Sequence, residues 1–264
     1  MTRDILNDVP DWALGLIIIA GTVVITLVAL ALVIRLLPAW RSERSNQVVA
    51  GIAAMVMTMF AVLLAFEIVN LYNSYDSATN NVAAEATSLT ELVQDANGFP
   101  SAAQRRIKRA VADYVVEVRA REFGYLRVGR SDPHAQQLIG NMFAAVQSYS
   151  PTTAAQQAFY DSATGQLHTI IDQRESRLDA AETAIPGPLL WLLVLLAVLT
   201  LAMSLLIEVH YRPLDVAIVV TLAIVISAGF LTVDILQYPF SGSIAVTSEP
   251  FDSGALGQLV QMYT

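Results

Sequence analysis

Four apolar runs, each long enough to cross a bilayer, limit what this chain can fold into more than any other feature. They cover residues 12–37, interrupted late by Arg35; 48–72, which contains Glu67; 189–207, which has no charge; and 216–236, with Asp234 near its end. About 20 helical residues span a hydrocarbon core of roughly 30 Å. Inside that core each backbone amide must find its partner without water, so every run is expected to be a helix. The chain is 55% hydrophobic and only 14% charged, where soluble domains carry about 25% charged residues. Its leader is acidic, with Asp4, Asp8 and Asp11. The first run also exceeds the roughly 7–15 residues of a signal-peptide core, so it reads as a retained span.

The segment between the second and third runs has another character: polar, alanine-rich and patterned at helical period. Val82, Ala86, Leu89 and Val93 form one stripe, and no breaker stands between Val48 and Asn97. The second span is therefore expected to leave the bilayer as one helix, stopped by Gly98 and Pro100. Ser101 is expected to cap the next helix, whose apolar face is Ile107, Val111, Tyr114, Val115 and Val118. Further helices are expected near 134–148 and over about 153–183, before Pro186 and Pro188 break the chain. No stretch alternates at period two for long, so the fold class is all-α. The expected organisation is a transmembrane hairpin over 1–72, an extramembrane helical domain over 73–188, a second hairpin over 189–238 and a tail over 239–264.

Arginine placement orients the chain. Arg35, Arg41 and Arg44 surround the first short loop and Arg212 occupies the second, against Arg3 alone at the N-terminus. The positive-inside rule then places both short loops in the cytoplasm, and the large domain with both termini outside. Aromatic anchors Trp12, Trp40 and Trp191 fall at span ends.

The order of several short pieces is similar to one family. Ala61-Val-Leu-Leu-Ala-Phe66 is followed by Val82, Glu85-Ala86 and Leu89, then Phe99-Pro100, Tyr114 and Glu122. Arg174-x-x-Arg177-Leu178, Ile185-Pro186, Leu190-Trp191, Pro239-Phe-Ser-Gly242, Pro250 and Phe251 complete the series. Along nearly its whole length the chain resembles the bacterial membrane family often labelled bestrophin-like. The resemblance implies distant kinship with bestrophins, pentameric anion channels with a helical domain between their second and third membrane segments. Two positions depart from the pattern: Glu67 stands where an aliphatic residue is usual, and Phe123 where Trp is common. Bestrophins keep the large domain cytosolic, against the arginine count, which is the physical argument and decides the expected topology.

Chemistry of the enzymatic kind is not expected. With no cysteine, thiolate catalysis and cysteine metal sites are gone. His134, His168 and His210 share no ligand spacing, and no phosphate loop or nucleophile pattern appears, so no catalytic residue, metal or cofactor is assigned. A net charge of −8 excludes a nucleic-acid partner.

Polar groups in costly places remain. Glu67, with Phe60, Leu63, Leu64 and Asn70 on its side of the second span, reads as a pore or cavity wall, or else as an acid solvated at the wet end. Gly51, Ala54, Thr58, Ala61 and Ala65 form a small-residue stripe suited to close helix packing. Glu85 and Arg174 fall on the apolar stripes of their helices, so Glu85 is expected to pair with Arg174 or with Arg177, one turn on. Two functions stay open: a homo-oligomeric ion channel whose pore the second helix lines, or a non-conducting sensor or accessory subunit presenting its helical domain to a membrane complex. The partners expected are the bilayer, further copies of the chain, an inorganic ion and, in the second reading, another membrane protein.

Overall fold

A computed structural model describes residues 10–36, 43–182, 185–206 and 213–263, which are helical nearly throughout and contain no strand. Arg3, Trp40, Arg41 and Arg212, and the side chain of Arg44, lie outside the description. Four helices are long and apolar enough to cross a membrane, and the chain divides into two compact units.

The first unit holds Met1–Asn73 and Ala184–Gln237. It contains α1 (Asp11–Leu36), the first part of α2 (Glu43–Asp95), α7 (Gly187–Leu206) and α8 (Pro213–Leu236). α1 packs on α8 and α7, and α7 on α8. Phe60 of α2 enters a cluster with Leu193, Leu196, Ala197 and Ile226. Hydroxyls in these apolar helices turn back on their own backbone: Thr26 Oγ1 donates to Thr22 O at 2.8 Å and Ser227 Oγ to Ala223 O at 2.7 Å. That local bond is the cheapest way to satisfy a hydroxyl where water is absent.

The second unit holds Ser74–Thr183 and Tyr238–Thr264. α2 ends at Asp95 and a 3₁₀ turn, Ala96–Gly98, carries the chain round. Gly98 is required there, because the Phe159 ring occupies the place where a Cβ would stand. α3 (Ser101–Glu117) follows, and a π-turn, Val118–Glu122, joins it to α4 (Phe123–Arg127). Then come α5 (Pro133–Gln147), capped by Asp132 accepting from His134 N at 2.9 Å, and α6 (Ala154–Glu182). Ser101 does not cap α3: it is the first helical residue, and Pro100 holds the cap position with no side-chain bond. Pro has no side-chain oxygen to offer, but its fixed φ suits entry into a helix.

After α8 the chain returns to this unit. Phe240 and Phe251 are buried in the same core as Val82, Leu89, Ile107, Val111 and Leu167. Tyr75 Oη donates to Ile244 O at 2.8 Å, and Ser241 Oγ to Arg127 O at 2.8 Å. Two short helices, α9 (Glu249–Asp252) and α10 (Gly254–Tyr263), finish it, with α10 against α3.

Candidate functional site

α2 supplies polar and apolar candidates to both units. In its membrane part the described residues of the chain cover one side of it. Phe60 is 5% exposed and Glu67 6%, Leu63 and Leu64 are half-buried, and Asn70 is exposed. Phe60 stacks on Phe230 with ring centroids 6.3 Å apart. Gly229 of α8 receives Leu64, whose Cδ2 would lie 2.6 Å from any Cβ added there. The side expected to wall a pore or cavity is therefore occupied by the chain's own helices, with Asn70 left outside it.

Among the described residues, the opposite arc of α2 is uncovered. Gly51, Ala54, Thr58, Ala61 and Ala65 are all exposed. Beside them stand Met55, Met59, Val62, Phe66 and Val69, between 50% and 75% exposed. With Leu192 and Leu196 of α7, part of this arc walls an apolar groove of about 710 Å³.

In the second unit, α2, α3, the π-turn and α6 bring together a buried ion network. Arg177 Nε donates to Glu85 Oε2 at 2.9 Å, and its Nη2 to Glu122 Oε2 at 2.8 Å. Arg174 Nη2 donates to Glu122 Oε1 at 2.5 Å and Nη1 to Gln136 Oε1 at 2.6 Å. Tyr114 Oη donates to Glu85 Oε1 at 2.5 Å. Glu85, Glu122 and Arg177 are fully buried and Arg174 is 3% exposed. Glu85 thus meets Arg177 rather than Arg174, because Arg174, one turn earlier, is taken by Glu122.

Glu122 is the charged member that the helix stripes alone did not pair here. Its signal was present: it stands four residues after Val118 on the stripe of Ile107, Val111 and Val115. Gln136 is a further partner with no such signal. Val118 and Glu122, at the two ends of the π-turn, are both buried, and such turns recur at functional sites.

Two carboxylates face two guanidiniums, so the cluster balances its charge, as groups removed from water must. Among the described residues Arg177 Nη1 has no hydrogen-bond acceptor. The guanidinium instead lies 5.4 Å from the Phe123 ring centroid and 6.0 Å from that of Phe251. Aromatic faces partly replace the missing acceptor. Burial works to lower the Arg177 pKa, but Glu85 and Glu122 outweigh it and hold the guanidinium above its ordinary value. Burial raises the Glu85 carboxyl, opposed by Arg177 and the Tyr114 hydrogen bond. Burial and then the Glu85 charge push the Tyr114 phenol well above its usual range. Chemically the cluster is a clamp between helices. Among the described residues no group of His, Asp and Glu is placed to hold a metal.

Comparison with known proteins gives one family and one fold. The model of a bestrophin-like domain matches residues 20–251. Crystal structures of variants of a bacterial bestrophin homologue from Klebsiella pneumoniae superpose with TM-scores of 0.66 and 0.64, each at 13% identity. The first covers 94% of this chain and 96% of its own, the second 94% and 97%. A crystal structure described as a membrane protein variant gives 0.63 at 13% identity, over 94% of this chain and 95% of that one. No curated protein matches.

Proposed function

Because this chain belongs to the bestrophin-like family, we propose that it is a homo-oligomeric ion channel whose pore is lined by α2. The observation that carries the reading is the uncovered arc of that helix. Thr58, Val62 and Phe66 follow one another at one-turn spacing near the middle of the arc, and Val62 and Phe66 are 50% and 71% exposed. Copies arranged about an axis bring these side chains to the centre and form an apolar constriction, which gates by dewetting. The small residues Gly51, Ala54, Ala61 and Ala65 flank that line and let the next copy's helix approach closely. Glu67 sits on the protomer side, so its charge stays out of an anion's path. The partners in this reading are the bilayer, the other copies and a permeating inorganic ion.

The large domain and both termini lie outside the cytoplasm in this proposal, on the arginine argument. The alternative, a non-conducting accessory subunit, uses the same exposed arc to meet a different membrane protein. Recording from the purified protein in planar bilayers separates the two. A channel gives stepwise currents, and Val62→Trp narrows the constriction and lowers unitary conductance. Electrically silent bilayers containing intact homo-oligomer contradict the proposal and leave the accessory reading.

A further inference from the structure

α3 gathers Arg105, Arg106, Lys108 and Arg109 in its N-terminal half, although the chain as a whole carries a net charge of −8. Cations there oppose the helix dipole. Its first turn contains no acid, and Pro100 contributes no side-chain cap. Lys108 has a local use, donating to Asn97 Oδ1 at 2.8 Å. Arg105, Arg106 and Arg109 are exposed, and among the described residues none of the three has an ion-pair partner. Three exposed guanidiniums at that end of a helix, without an ion-pair partner among the described residues, are open to an anion from outside the chain.

Two of them frame a shaped surface. Arg106 and Arg109 lie one turn apart on the same side of α3 and line a depression of about 360 Å³ between α3 and α5. Leu138, Ala144 and Ala145 of α5 make its wall apolar, Asn141 adds an amide, and Asp113 also lines it.

We infer that this depression binds an organic monocarboxylate with a small apolar body, its carboxylate held by Arg106 and Arg109. The planar guanidinium matches a carboxylate fork to fork. A bare inorganic anion would leave the apolar wall uncovered, and Asp113 works against a multiply charged ligand. The volume falls in the range of small-molecule sites.

Calorimetric titration of the full-length protein in neutral detergent with sodium benzoate, with empty micelles as blank, tests the assignment. Saturable binding is expected, weakened about tenfold or more in the Arg106→Gln/Arg109→Gln variant. Arg105→Gln, which removes a like charge outside the depression, binds as the wild type does, and Asp113→Asn binds more tightly. Those two single changes decide the matter even if the double variant fails to fold. No saturable binding by the wild type, an equal loss in Arg105→Gln, or tighter binding of inorganic phosphate than of benzoate overturns the inference.

Discussion

Arg177 places a guanidinium where there is no water, and the groups around it set the cost of its loss. Arg177→Met leaves Glu85 and part of Glu122 charged and unpaired, a defect of about 3–5 kcal/mol. Adding Glu85→Gln removes one stranded charge and recovers part of that loss, since residues in one network do not act additively. Chemical denaturation of the single and double variants in detergent checks the order. Tyr114 carries a pH signature. Its phenol titrates above the ordinary value of 10.0 in the folded protein, so the folded state keeps a proton that the unfolded chain releases. That contribution is fully present below about pH 10 and is lost as pH rises further. Melting temperatures followed from pH 9 to 11 should therefore fall less steeply in Tyr114→Phe than in the wild type, and identical slopes would contradict the assignment.

At the scale of the element, α2 presents two sides with different fates. Its small-residue side is exposed among the described residues, so Ala61→Phe leaves the packing within the chain intact. In the proposed oligomer the ring has no room against a neighbouring helix, and light scattering in detergent should show smaller assemblies. Unchanged assembly size and thermal stability would place that side against lipid. The length of α2 was legible in the sequence: no breaker interrupts it, and Gly98 closes it where Phe159 needs the space. Which side turns inward was not. The helix is apolar all round in its membrane part, so periodicity carries no direction, and contacts with Phe230 and Gly229 on a distant helix decide it. The ion network was half legible. The stripes of α2 and α6 placed Glu85, Arg174 and Arg177 on inner faces, but the choice of partner depended on Glu122. The stripe of α3 runs on from Val118 to Glu122, but it does not say which of the two arginines a second buried carboxylate would take.

For the whole molecule, sidedness and assembly each have a direct test. Reporter fusions at Gly98 and Arg41 test sidedness: an extracytoplasmic phenotype at Gly98 and a cytoplasmic one at Arg41 are expected, and the reverse pattern contradicts the arginine argument. The central claim, that α2 lines an ion path with its uncovered arc, is tested most directly by introducing single cysteines along that helix. The chain contains no cysteine of its own, so each introduced thiol is the only target for a charged thiol reagent. Cysteine at Thr58, Val62 or Phe66 should allow the reagent to block current through reconstituted protein, while cysteine at Phe60, Leu64 or Glu67 should not. Block confined to the second set, or currents indifferent to every position, would contradict the account.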